Sequence, residues 1–369
     1  MPREPEPTGD RAAPRLLIAA SGTGGHLFPA LAVAAELPDW SLAWLGVPDR
    51  LEQQLVPARY PLHTIPLTGF QQRFGFKTLA IALRFLQAIW KTRQLLRRQG
   101  YQGVFTTGGY IAAPAILAAR WLGLPVVLHD SNAIPGKVTR WLAPYCQVVA
   151  LGFEEAARHL PRVNTVWTST PVRQQFLQAQ PLDLPIPSTA PLIVVLGGSQ
   201  GAVAVNQLVR QAAPAWFAAG AYVVHLTGDR DPEAESLSHP QYIRLSFYDQ
   251  MAALLQRADL AVSRAGAGTL TELAVSHTPA ILIPYPYAAD DHQFHNAQVF
   301  CRAGAAQLYR QEDLSPAGLS QAVLTLLGDR AQLQTMAAQA ARLAATDSAQ
   351  RLANLLRQWV PGGRPRAKS

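Results

Sequence analysis

Cysteine is scarce in this sequence: Cys146 and Cys301 are the only two among 369 residues. They lie far apart with no cysteine–histidine spacing around them, which excludes a disulfide framework and a zinc site of that kind and points to a reducing compartment. Long apolar runs are also missing. The nearest candidate, residues 78–90, is interrupted by Arg84, so no membrane span is expected. Residues 1–14 carry no apolar core ahead of a cleavage site, which excludes a secretory signal there. They read as a disordered tail, as do the Gly/Pro/basic residues 361–369. Charge is sparse, 15% against 49% hydrophobic, which argues against disorder for the rest, and the length suffices for two domains with their own cores. Helix-turn-helix, RNP and zinc-finger patterns are absent, so nucleic acid is not an expected partner. Acidic residues are in deficit, 24 against 32 basic, and the formal net charge of +8 asks for an anionic membrane surface or a phosphorylated substrate.

The stretch 258–296 organises what is there. Residues 260–263 form a short apolar run ending in the turn Arg264-Ala265-Gly266-Ala267-Gly268. A helical pattern follows, with Thr269 and Thr271 as candidate caps and Leu270, Leu273 and Ala274 on one face. Residues 279–284 read as a second buried strand. The loop of this β-loop-α-β unit sits at the carboxyl end of a strand, where open α/β sheets bind ligands. The free N–H groups and dipole of the helix start suit a phosphate. Glu272, one turn in, is either a ribose-diol acceptor or simply a first-turn acid favoured by the dipole.

Similar units recur along the chain. Strand 15–20 runs into Ser21-Gly22-Thr23-Gly24-Gly25-His26, and a helix is expected over 29–37 with Pro29 at its start. The glycine spacing is not G-x-G-x-x-G, which disfavours a nicotinamide dinucleotide. His26 is a candidate base or a loop-ordering histidine. A strand at 42–45 and a helix at 49–55 come next. Loop 69–77 sets Phe70, Phe74 and Phe76 among Arg73 and Lys77 and leads into a helix through Gln99. That helix is an amphipathic connector, or its first turns dip into an anionic bilayer. Strand 103–106 ends in Thr107-Gly108-Gly109-Tyr110, and strand 124–128 in His129-Asp130-Ser131-Asn132. Prolines 181, 185, 187 and 191 mark a linker, after which strand 192–196 and Gly197-Gly198-Ser199-Gln200-Gly201-Ala202 restart the plan. Two α/β halves of one plan bind a ligand in the cleft between them. Asp229-Arg230-Asp231 matches a D-x-D metal pattern but sits in a proline-bearing turn with no further ligand, so no metal is expected.

Five motifs in this order and spacing resemble one family closely. They are Gly22-Thr23-Gly24-Gly25-His26 with Phe28-Pro29, Thr107-Gly108-Gly109-Tyr110, the 197–202 loop, Arg264-Ala265-Gly266-Ala267-Gly268-Thr269 with Glu272, and Asp291-His292-Gln293 with Asn296. The family is MurG, which adds N-acetylglucosamine (GlcNAc) to lipid I in peptidoglycan synthesis, and the similarity covers the chain between its tails. The resemblance implies an α/β GT-B fold, two Rossmann-like, doubly wound parallel-sheet domains facing a cleft. Expected bounds are 1–13 tail, 14–175 acceptor and membrane-facing domain, 176–190 linker, 191–345 UDP-GlcNAc domain, 346–360 a helix packing back on the first domain, and 361–369 tail.

Carried over by position, the resemblance puts Thr23, Gly24 and Gly25 where donor and acceptor meet. It puts Asn132, Arg173, Ser199, Gln200 and Gln293 on the sugar nucleotide and Tyr248 near uracil. Glu272 would take the ribose hydroxyls, and the backbone of Ala267, Gly268 and Thr269 the diphosphate. Gly22, Gly108, Gly109, Tyr110 and Asn132 would meet the acceptor. The expected reaction is an inverting transfer to the C4 hydroxyl of the muramoyl unit, with His26 as catalytic base, no metal and no cofactor. Phe74, Phe76, Lys77, Trp90, Lys137 and Arg140 form the candidate membrane surface of a peripheral enzyme on the cytoplasmic face of the plasma membrane. Other cell-wall enzymes are further candidate partners. Two stretches depart from the family: His129-Asp130-Ser131-Asn132 stands where H-E-Q-N is usual, and Ser169-Thr170-Pro171 where G-[NT]-P is usual. Competing readings are a diacylglycerol glycosyltransferase, a UDP-GlcNAc 2-epimerase, a nucleotide-binding oxidoreductase and a non-catalytic membrane scaffold.

Overall fold

The computed structural model describes residues 13–67, 76–197 and 201–362, with the backbone alone for 76–80. The first domain runs β1 (Arg15–Ala19), α1 (Gly24–Ala35), β2 (Ser41–Gly46), α2 (Glu52–Leu55), β3 (Leu62–Thr64), α3 (Phe76–Arg98), β4 (Gly103–Thr106), α4 (Ala112–Trp121), β5 (Val126–Asp130), α5 (Lys137–Leu142), β6 (Val148–Leu151) and β7 (Thr165–Trp167). The second contains β8 (Leu192–Leu196), α6 (Val203–Ala218), β9 (Tyr222–Leu226), β10 (Tyr242–Leu245), α7 (Met251–Arg257), β11 (Leu260–Ser263), α8 (Ala267–Val275), β12 (Ala280–Leu282), α9 (His292–Arg302) and β13 (Ala306–Leu308). Three helices close the chain, α10 (Pro316–Gly328), α11 (Arg330–Leu343) and α12 (Ser348–Trp359).

Each domain has one parallel sheet, of seven strands ordered β3-β2-β1-β4-β5-β6-β7 and of six ordered β10-β9-β8-β11-β12-β13. Helices cover both faces, so the central strands are apolar throughout rather than alternating. Leu17 and Ala19 of β1 enter one core while Leu16 and Ile18 enter the other. In β8, Val194 and Leu196 are likewise separated from Ile193 and Val195. The strand order reverses at β1/β4 and at β8/β11. The glycine loops that follow β1, β4 and β11 therefore open at the switch points, where such sheets bind ligands. The final helix returns to the first domain: Leu352, Ala353 and Leu356 share a core with Leu16, Leu27 and Val33, and the Arg357 guanidinium donates to the Glu36 carbonyl at 2.7 Å.

Three local expectations need correction. Helix α1 starts at Gly24, so Pro29 lies inside it, buried against the sheet. Over 49–55 only Glu52–Leu55 is α-helical, because Asp49 adopts φ +60°, outside the helical region. Thr269 and Thr271 do not cap α8; Gly266 is its N-cap residue, and the Thr271 hydroxyl donates to the Ala267 carbonyl at 2.9 Å from within the helix.

Two buried histidines make stability depend on pH. His225 donates through Nε2 to Asn206 Oδ1 at 3.0 Å and accepts from the Tyr242 hydroxyl at 2.8 Å, and burial with Arg210 nearby lowers its pKa to about 3. His129 donates through Nδ1 to the Ala150 carbonyl at 3.1 Å, and burial lowers its pKa to about 4. Both take a proton near pH 6.5 once unfolded. Their neutral burial is therefore without penalty above pH 6.5 and destabilises progressively below it, by up to ~1.4 kcal/mol per pH unit for each ring. Urea midpoints measured from pH 7.5 to 5 should fall with pH; a flat profile contradicts this.

Candidate active site

The loop after β1 turns at Gly22 with φ +106°, a backbone that a side chain would strain. Thr23 then adopts an extended conformation as N-cap of α1, with no side-chain cap on the helix start. His26 falls in the first turn. Its Nδ1 lies 2.7 Å from the Thr107 carbonyl and so carries the proton, leaving Nε2 as the basic nitrogen. The Thr107 hydroxyl donates back to the His26 carbonyl at 3.0 Å, which ties the loops after β1 and β4 together. Gly108 and Gly109, at φ +91° and +76°, pass over the imidazole; a Cβ on Gly109 would sit 3.6 Å from Nε2. Their lack of side chains keeps that nitrogen accessible. Tyr110 is exposed beside them.

The end of β5 explains the first departure from the family pattern. Asp130 is buried and accepts from the Asn132 N–H at 3.1 Å, the Gly136 N–H at 3.0 Å and the Thr139 hydroxyl at 2.6 Å. Its carboxylate organises the turn into α5, and its short side chain suits the contact two residues along the chain. Asn132 is thereby held at the cleft, where its Oδ1 accepts from Asn296 Nδ2 of the second domain at 3.1 Å. Asn296 is fully buried; its Oδ1 accepts from the Ala133 N–H at 2.8 Å, and its Nδ2 also reaches the Ala265 carbonyl at 3.2 Å. Sequence reasoning noted Asn296 only as part of a motif, whereas it ties the two domains. Nothing in its neighbourhood along the chain announces a partner so far away.

The second departure also has a backbone cause. Ser169 is buried with φ +58°, where glycine is the natural residue. Ser169→Gly is expected to stabilise the protein by ~1 kcal/mol, read as a higher urea midpoint with unchanged slope.

Across the cleft, α8 starts at Gly266 without a side-chain cap. The N–H groups of Ala267, Gly268 and Thr269 belong to the first turn, where no intrahelical acceptor exists, and the space around Gly268 is open. Glu272 lies one turn on and accepts from Arg173 at 3.0 Å. Burial raises the Glu272 pKa and the Arg173 guanidinium pulls it back. Arg173 stacks 5.0 Å from the Phe28 ring centre and 5.2 Å from that of Phe176, and its buried Nε has no partner. Gln293, at the start of α9, accepts from the Tyr285 N–H at 2.9 Å. The Tyr248 hydroxyl is buried without a partner, and burial raises its pKa. Ser199 and Gln200 lie outside the described residues.

Other predicted positions fall elsewhere. Asp231 of the D-x-D pattern is engaged by Asn206 at 2.7 Å and Arg210 at 2.6 Å, a structural network. Among the described residues no group of three or more His, Cys, Asp or Glu could hold a metal ion. Arg140 forms an ion pair with Asp290 of the second domain, so its charge is matched at the cleft mouth. Lys137 and Trp90 are exposed. Phe74 lies outside the described residues, as do the side chains of Phe76 and Lys77.

Residues 16–151 match the family model "Glycosyltransferase family 28 N-terminal domain" and residues 192–352 the corresponding C-terminal domain. The chain is 64% identical to a UDP-N-acetylglucosamine–N-acetylmuramyl-(pentapeptide) pyrophosphoryl-undecaprenol N-acetylglucosamine transferase of Gloeothece citriformis, over 93% of this chain and 95% of that one. It is 63% identical to the protein of that name in Microcystis aeruginosa, over 94% and 98%. Among solved structures, Acinetobacter baumannii MurG aligns with a TM-score of 0.76 at 30% identity, covering 94% of this chain and 99% of that one. A putative UDP-N-acetylglucosamine 2-epimerase from Listeria monocytogenes aligns with a TM-score of 0.70 at 12% identity, over 94% and 96%, a likeness of fold alone.

Proposed function

This chain belongs to the MurG family of N-acetylglucosamine transferases, and we propose that it transfers GlcNAc from UDP-GlcNAc to lipid I, giving lipid II. The observation that carries this reading is the 64% identity, extending through both domains, to a transferase of that name. The proposed step is an inverting displacement. His26 Nε2 takes the proton of the muramoyl C4 hydroxyl, the oxygen attacks C1 of GlcNAc, and the C1–O bond to the diphosphate breaks, releasing UDP. The Nδ1–H bond to Thr107 supports His26 as base, because it fixes the tautomer whose Nε2 accepts. The uncapped start of α8 supports a role in receiving the leaving diphosphate, whose growing charge meets N–H groups and the helix dipole. The unpartnered Arg173 Nε and Tyr248 hydroxyl are polar groups that a bound nucleotide can satisfy.

The epimerase reading predicts a different product. With UDP-GlcNAc and no acceptor, the donor should persist unchanged; appearance of its C2 epimer would replace the reading, and disaccharide formed only when a muramoyl lipid is added supports it.

The acceptor's lipid tail calls for a membrane-facing surface. Leu83, Leu86 and Trp90 lie three and four residues apart on α3, and each is more than half exposed. Exposed Arg84 and Lys91 flank them, and Trp121 and Trp141 are exposed on α4 and α5. Among the described residues no helix is long and apolar enough to cross a membrane. This face supports peripheral binding to the cytoplasmic leaflet, with apolar side chains inserted and cations on headgroups. Leu83→Ser/Leu86→Ser/Trp90→Ser should weaken binding to phosphatidylglycerol vesicles by at least ~10-fold; unchanged binding would move the surface elsewhere.

A further inference from the structure

Glu52 is a fully buried carboxylate that the mechanism above does not use. By its sequence it is an unremarkable helix-surface acid, yet it points under the loops that follow β1 and β2. Its Oε1 accepts from the Ser21 hydroxyl at 2.5 Å and from the Val47 N–H at 2.8 Å, and its Oε2 from the Gly22 N–H at 3.2 Å. Three donors satisfy a charge that burial would otherwise penalise. Two of them belong to the glycine loop that leads directly into His26.

We infer that Glu52 is a positioning residue for acceptor use, holding the Ser21–Gly22 turn from beneath so that the following residues and His26 meet the acceptor in register. The inference rests on the lipid I reading above. The Gly22 N–H faces Glu52, so it is not free for the acceptor diphosphate, and Gly22 contributes through its φ of +106°. Thr23 and Gly25 beyond it are exposed and available. Gly46 completes the device. A Cβ there would lie 2.7 Å from Glu52 Cγ and 2.9 Å from its Oε1, so only glycine leaves room for the carboxylate. None of the three donors belongs to the second domain, which separates Glu52 from the UDP-binding half.

Two variants disturb this contact by different routes. Glu52→Gln keeps the size but must set an amide N–H against one of the donors. Gly46→Ala keeps the carboxylate and displaces it. Each is expected to lower kcat/KM for a short-chain lipid I analogue on the order of 10- to 100-fold, because small misplacements are costly in catalysis. The Kd for UDP should stay at the wild-type value, and both variants should remain folded at the assay temperature, although the disturbed buried contact lowers the melting temperature. Glu52→Asp, one methylene short, should not rescue acceptor use.

Wild-type acceptor kinetics in folded Glu52→Gln or Gly46→Ala would overturn the inference. So would a loss in UDP affinity that parallels the loss in acceptor use, since that describes a merely structural acid. A wild type that transfers nothing to lipid I would overturn the functional reading and this inference with it. An active wild type with unaffected variants overturns the inference alone.

Discussion

Replacing His26 with alanine is expected to slow GlcNAc transfer by roughly 10²–10⁴-fold, the range of a general base, and to leave UDP affinity unchanged. The reasoning is geometric. Nδ1 is committed to the Thr107 carbonyl, and among the described residues no other imidazole is similarly presented at the switch point of the first sheet. The fully buried His129 on neighbouring β5 is hydrogen-bonded to Ala150 and is held neutral by its surroundings. His26→Asn separates orienting from proton transfer, because its Nδ2 amide takes the place of Nδ1 and can still donate to the Thr107 carbonyl but cannot take the proton. Near-equal losses in both variants point to the base. Activity retained by asparagine would reduce His26 to a loop-ordering residue.

The second large effect is expected at Glu272. Glu272→Ala removes a half-buried carboxylate one turn into α8 that already accepts from Arg173. If it also accepts the ribose hydroxyls, its loss should weaken UDP-GlcNAc binding by ~1.5–3 kcal/mol, about 10- to 150-fold in Kd. Calorimetry with UDP and 2′,3′-dideoxy-UDP distinguishes the two roles weighed from the sequence. A ribose acceptor gives a penalty for the missing hydroxyls in the wild type that disappears in the variant. Glu272 lies beyond the first turn of α8, so the first-turn reading does not hold; an acid that only pairs with Arg173 gives the same nucleotide preference in both. Arg173→Ala should push the Glu272 pKa further up, because the guanidinium is what offsets its burial.

The strands and their glycine loops were legible because each signal is local. Leu16–Ala19 and Leu192–Leu196 are buried on both faces and show it as unbroken apolar runs, followed at once by glycine-bearing loops in which Gly22 and Gly201 take positive φ. What stayed hidden depends on distant partners. Glu52 meets Ser21, 31 residues earlier, and Asn296 meets Asn132, 164 residues earlier. No pattern within a helix turn distinguishes such residues from solvated ones. The start of α1 departs from the expected one because Pro29 ordinarily marks a first turn, whereas here five helical residues precede it. Conversely, Ser169 stands out from the sequence as a departure from the family pattern, and its φ of +58° is a backbone that suits glycine.

The most direct test of the account is transfer of labelled GlcNAc from UDP-GlcNAc to a short-chain lipid I analogue by the wild-type protein in EDTA. The account predicts a β-1,4-linked disaccharide on the lipid, formed at the rate seen without the chelator. Tight UDP-GlcNAc binding with no transfer to any muramoyl acceptor would contradict it.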